Sequence, residues 1–150
     1  MNSKLVRILI SMLLVSIASG MTASPAYAAP PHCYLSADVI WLDCGIDLVE
    51  GVPVTIKAKG KAATADLDIF PDAWSGPNGQ ITLCWKFDGV SPCALEHKPY
   101  GALVGKIGTT GEPFMIGSSL TFVPETSGRL YVIVNDNLPY YSDNYGSSLV

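Results

Sequence analysis

Apolar and polar positions alternate along residues 52–60, VPVTIKAKG: Val54, Ile56 and Ala58 fall on one side, Thr55, Lys57 and Lys59 on the other. That period of two predicts a strand with one face in a core. Residues 129–134, RLYVIV, are apolar on both faces and predict a central strand covered on both sides. Further strands are expected at 37–42, 81–87, 102–107, 119–123 and 147–150. Between them stand turn-forming clusters: SGPNG (75–79), FDGVSP (87–92), TTGEPF (109–114) and ETSG (125–128). Outside the first 28 residues no stretch has helical periodicity. Short strands separated by turns predict an all-β fold, a single small antiparallel β-sandwich or jelly roll. No repeat, linker or low-complexity tract divides it, and the closing SSLV should pair into a sheet.

The beginning of the chain breaks this pattern. Lys4 and Arg7 precede the apolar run 8–18, and small residues then lead to Ala26-Tyr27-Ala28. A basic start, a short apolar run and an A-x-A site are the parts of a secretory signal peptide. Ser11 and Ser16 interrupt the run, which also falls short of the roughly 20 apolar residues a membrane span needs. Residues 1–28 are therefore expected to be removed, leaving 29–150 as the working domain, secreted or periplasmic, with no membrane attachment.

Composition adds three constraints. The chain has 150 residues, 49% apolar and 15% charged, which suits one folded domain and excludes a disordered one. Only nine residues are Lys or Arg and the formal charge is −4, so a nucleic-acid partner lacks its basic footprint. Loss of Lys4 and Arg7 leaves seven bases against thirteen acids, a net −6. Outside the cell an even set of cysteines is expected to be oxidised. Cys33, Cys44, Cys84 and Cys93 allow three connectivities. The local one, Cys33–Cys44 with Cys84–Cys93, closes two short loops and is the expected pairing. Zinc is disfavoured, because there is no Cys-x-x-Cys pair and His32 and His97 have no ligand-like spacing.

The richest stretch in oxygen donors is 135–144, NDNLPYYSDN, between the best strand and the last one. It holds Asp136 and Asp143 with the amides of Asn135, Asn137 and Asn144. Calcium takes six to eight oxygens from such groups, and a returning loop can aim several at one point. The same residues also make ordinary turns, and on composition alone that reading is the stronger. The alternating acids, central Gly and terminal Glu of an EF-hand are missing. Asp66, Asp68 and Asp72 in 65–74 read as a solvated acidic loop, and His97 as a surface loop residue. For Tyr141 and the tryptophans, core packing accounts for them at least as well as ligand contact.

YGALVGKIG (100–108), PFMIG (113–117), SGRLYVIVND (127–136) and YYSDNYGS (140–147) resemble the core of the PA-IL-like, or galactophilic, lectin family. The likeness extends upstream through DCGIDLVEGVPVTIKAKG (43–60) and Gly-Pro-Asn-Gly at 76–79, and so covers most of 40–150. What it implies is a jelly-roll-like sandwich with one Ca2+ in loops at one end, the ion's coordination completed by vicinal hydroxyls of a galactoside or other carbohydrate. Position by position, Asp136 matches the family's bridging carboxylate and Tyr140 a backbone carbonyl ligand. Asp143 and Asn144 match the closing pair, and a further carbonyl falls near Thr64. Asp136, Asn137, Tyr140 and Asp143 are the residues expected against the sugar. The family's short His-Pro-x-Gln segment, which holds the galactose O6 side, is replaced by the longer QITLCWKFDGVSPCALEHKP (80–99). An oligomer is left open, because the surfaces that assemble the family's tetramer do not carry over.

Two other functions compete with a lectin. One is a secreted interaction protein in which calcium only braces the loops. The other is a glycosidase, which needs two carboxylates free to exchange protons. Carboxylates that ligate calcium are poor proton donors, IGSSLTF (116–122) lacks a Gly-x-Ser-x-Gly elbow, and no His stands beside a nucleophile. No enzymatic activity is expected.

Overall fold

The computed structural model describes residues 31–65, 67–85 and 92–150. The expected signal peptide, Asp66 and residues 86–91 lie outside that set. Among the described residues ten strands run in chain order: β1 (Tyr34–Ser36), β2 (Leu42–Leu48), β3 (Val54–Lys57), β4 (Lys59–Ala63), β5 (Trp74–Ser75), β6 (Leu103–Ile107), β7 (Phe114–Met115), β8 (Ser119–Phe122), β9 (Gly128–Val134) and β10 (Tyr145–Leu149). A 3₁₀ helix, Leu138–Asp143, joins β9 to β10.

These strands build two four-stranded antiparallel sheets, ordered β1-β10-β4-β5 and β2-β9-β6-β7, and a two-stranded ribbon, β3-β8. Leu35, Leu48, Ile56, Ala62, Leu103, Leu130, Val132 and Val134 fill one core cluster. Each large side chain so buried is worth about 1.5–3 kcal/mol. This is a small antiparallel β-sandwich, as the alternation of residues predicted.

The central strand is covered on both faces, and that determines where the site lies. Leu130, Val132 and Val134 point into the main core. Ile133 and its cross-strand partner Val104 lie on the other face, where they pack with Ala94 and Tyr141. The 3₁₀ helix provides this cover because residues three apart eclipse in that geometry. Leu138 and Tyr141 share the packed side, which leaves Tyr140 and Asp143 on another. Pro139 in the first turn presets the backbone and needs no donor there.

Four strands match their predicted positions at 102–107, 119–123, 129–134 and 147–150. The alternation at 52–60 divides at Ala58 into β3 and β4. The strand expected at 37–42 is instead a turn between β1 and β2. Trp41 there adopts a left-handed conformation, φ 53°, and the chain crosses from one sheet to the other. The Cys33–Cys44 disulfide closes this crossing and ties the sheets together. Within 81–87 the described residues form only a bridge, Leu83 to Pro99. Ile81, Leu83 and Trp85 are exposed, so their alternation finds no core. The second expected disulfide, Cys84–Cys93, is also present. The chain's last residues pair as foreseen, with β10 lying between β1 and β4.

Candidate functional site

Strand β9 runs directly into Asn135, Asp136 and Asn137, all three buried despite their polarity. Buried polar groups need partners, and Asn135 has them. Its Oδ1 accepts the Leu95 N–H at 2.8 Å, and its Nδ2 donates to the carbonyls of Leu95, Lys98 and Pro99 at 3.0–3.1 Å. Asn137 accepts the Tyr100 hydroxyl at 2.7 Å and donates to the Trp85 carbonyl at 2.8 Å. These two amides therefore fasten segment 92–100 to the end of the central strand. Backbone bonds from Ala94 to Asp136 and from Leu138 to Pro92 complete the seam. The Asn137 side chain, expected at the ligand, is engaged with Tyr100 and Trp85.

Between these two clamps, Asp136 is 3% exposed. Its Oδ1 accepts the Asn137 N–H at 2.7 Å, but its Oδ2 has no hydrogen-bond partner. Two further buried side-chain oxygens lack partners: Asp143 Oδ1 and Asn144 Oδ1. The Asn144 Nδ2 donates to the Ala37 carbonyl at 3.2 Å, which fixes that side chain at the start of β10. Asp143 comes from the end of the 3₁₀ helix.

The electrostatics place these groups together. Burial lifts the Asp136 carboxyl from 3.8 to about 6. The Asn137 N–H and the Asn144 amide oppose that rise, while the negative charge of Asp143 adds to it. The same carboxylate raises its neighbours. Burial chiefly raises the Tyr100 hydroxyl, the Trp85 backbone opposes this and Asp136 adds to it. Tyr141 is raised by burial first and then by Asp136, and its hydroxyl donates to the Val134 carbonyl.

The remaining expected positions come from the neighbouring sheet. Tyr145 pairs with Ala63 across β10 and β4, so Asn144 and Thr64 are each one residue beyond that rung. Thr64 also lines a cleft of about 470 Å³ with Asp72, Gln80 and Tyr100 and with the exposed Ile69 and Phe70. Tyr140 stands in the 3₁₀ helix, 42% exposed, with its N–H bonded to the Asn137 carbonyl. The end of β9, the 3₁₀ helix, the start of β10 and the end of β4 thus meet at one edge of the sandwich.

This donor set suits a hard cation: two carboxylates, one amide oxygen and nearby backbone carbonyls. Among the described residues no three His, Cys, Asp or Glu side chains cluster, so the set is unlike a zinc site. Asp68 and Asp72 are exposed, as a solvated loop would be, and His97 is an exposed loop residue edge-on to Trp85. Tyr141 is core, whereas Trp74 and Trp85 are on the surface. No local pattern signals the clamping role of Asn135 or of Tyr100, whose partners are 36–40 residues away.

No family model matches the chain, and no curated protein matches it significantly. Among solved structures it is similar to the N-terminal domain of EclA, described as a PllA-like lectin. The TM-score is 0.59 with 20% identity, over 79% of this chain and 90% of that one. At that identity the likeness is one of fold: the chain has the small β-sandwich architecture of a lectin domain.

Proposed function

We propose that the chain is a secreted, calcium-dependent carbohydrate-binding protein of the PA-IL-like lectin type, without enzymatic activity. The observation carrying this reading is the trio of buried oxygens without partners on Asp136, Asp143 and Asn144. A buried acceptor left unsatisfied costs about 1–3 kcal/mol, more when charged. Three at one edge, two of them carboxylate oxygens, make a poor structural feature and a good cation cradle. Asp136, Asp143 and Asn144 supply side-chain oxygens in this reading, and Tyr140 and Thr64 supply backbone carbonyls.

Calcium contributes a centre to which vicinal sugar hydroxyls can bind in place of water. The protein's own residues orient the sugar. Carboxylates of Asp136 and Asp143 accept hydrogen bonds from hydroxyls, strengthened by their charge. The cleft beside Thr64 offers the ring a partly apolar wall in Ile69 and Phe70. Segment 80–99 carries no His-Pro-x-Gln motif, and Gln80 donates to the Ala73 carbonyl at 2.6 Å. Galactosides are the first ligands to try, with the O6 side read differently from the family. The likeness to a lectin domain favours a carbohydrate over a protein partner.

Export rests on the sequence of residues 1–28, and the two disulfides fit an oxidising compartment. No helix among the described residues is long and apolar enough to cross a membrane. The test is a glycan screen run with calcium and with chelator. Binding lost in chelator supports the reading. Binding that survives chelator, or no binding to any glycan, refutes it.

A further inference from the structure

Strand β4 alternates between the two faces of its sheet, and the face turned away from the core has its own chemistry. Ala62 packs in the core cluster, so Ala63 points outward. Its direct partners on either side are Tyr145 on β10 and Trp74 on β5. Directly opposed residues of antiparallel strands project to the same face. Tyr145, Ala63 and Trp74 therefore form one rung across three strands of the outer face. Both aromatic residues are open to solvent, Trp74 at 42% and Tyr145 at 50%, while Ala63 between them is fully covered at 0%.

A glycine holds the indole in place. Trp74 Cζ3 stands 2.8 Å from where a Cβ on Gly146 would be. The ring thus reaches from β5 across β4 to the backbone of β10. Gly146 has φ +93° and a Cβ there would also run into the Lys61 carbonyl, so only glycine leaves this space. The next outward rung is polar, with Ser36, Ser147 and Lys61 in register and exposed. An aromatic row bordered by hydroxyls and an ammonium matches a sugar ring, which has an apolar face and a hydroxylated edge.

Along the chain the row borders the proposed cation site. Tyr145 directly follows Asn144, and Ala63 directly precedes Thr64. We propose that Trp74 and Tyr145 form a second sugar subsite, so that the ligand is an oligosaccharide whose terminal residue sits at the cation and whose next residue stacks on this row. This rests on the lectin reading above and adds the ligand's length to it. Continuity with the cation site and the mixed aromatic and polar edge favour a glycan over a second copy of the chain as the occupant.

The test uses the mature, oxidised protein in calcium, with methyl β-galactoside and a β-linked trisaccharide ending in galactose as probes, or the corresponding pair from the screen's best sugar. Stacking on two rings predicts that the trisaccharide binds about tenfold or more tightly than the monosaccharide. Trp74→Ala should reduce the trisaccharide to monosaccharide affinity while leaving calcium and monosaccharide affinities unchanged. Trp74→Phe should restore part of the difference. Tyr145→Ser, at a more exposed position, repeats the test if the tryptophan variant does not fold. Equal affinities for the two probes, or an advantage that survives Trp74→Ala and Tyr145→Ser, overturn the second subsite and leave the lectin reading standing. Failure of every saccharide to bind in calcium overturns both. Variants that change sedimentation but not glycan affinity would assign the row to self-association instead.

Discussion

The buried Asp136 carboxylate gives the most quantitative handle on the site. Replacing it by Asn keeps the size and the acceptor for the Asn137 N–H, and removes the charge. In the native protein its carboxyl rises from 3.8 to about 6, which corresponds to roughly 3 kcal/mol in favour of the neutral form. A folded-state value above the unfolded one means the folded chain binds more protons between those two pH values. Stability in chelator is then unaffected by this group below about pH 4 and falls as pH rises to about 6. The full penalty applies above that.

Asp136→Asn should therefore raise stability by only about 1 kcal/mol at pH 4.5 and by up to about 3 kcal/mol at pH 7.5 in chelator. A domain of this size would gain roughly 10 °C in Tm. Calcium should close this gap at one hundred times the wild type's dissociation constant and reverse the order at one thousand times, where the gain is about 4.1 kcal/mol. The wild type gains about 2.7 kcal/mol at one hundred times its dissociation constant, and the variant gains nothing. Thermal and urea melts of both proteins at the two pH values, with chelator or calcium, decide the matter. A variant less stable than the wild type in chelator at pH 7.5, or a difference independent of pH, would refute the reasoning.

Other outcomes follow from the fold. Reducing Cys33–Cys44, which spans the two sheets, should lower unfolding free energy by about 2–4 kcal/mol, read from urea melts of a Cys33→Ala/Cys44→Ala variant. Asn135→Ala strands the Leu95 N–H and three carbonyls of the clamped segment. It should cost roughly 2–4 kcal/mol and speed amide exchange across 94–101, so unchanged exchange would deny the clamp. Gly146→Ala meets both a left-handed φ and the Lys61 carbonyl, and a Tm equal to wild type would contradict the close approach argued for Trp74.

Sequence made the regular strands legible because each had a face to bury. Val54 and Ile56 alternate cleanly with Thr55 and Lys57, and residues 129–134 could only be a strand covered twice. Strand β2 was illegible for a physical reason: LDCGIDL carries two acids and Gly45, and its register shifts between Asp43 and Asp47. Arg129 pairs with both acids there, at 3.7 and 3.1 Å, a partnership across sheets of sequence that local patterns do not encode. At the site, Asp136, Asp143 and Asn144 stood out by chemistry and by resemblance. Tyr100 and Asn135 did not, since their roles arise from contacts made only after segment 92–100 folds back. For Trp74 the sequence left core packing and ligand contact both open, and the narrow β5 edge places it on the surface.

On the proposed reading, the orphaned oxygens of Asp136, Asp143 and Asn144 hold a cation. Calorimetric titration of calcium into the chelator-stripped, oxidised domain tests it most directly. Saturable binding of one ion is expected, abolished by Asp136→Asn or Asp143→Ala, and weaker below about pH 6 as Asp136 protonates. No heat and no thermal stabilisation at millimolar calcium, or binding unchanged in both variants, would contradict it.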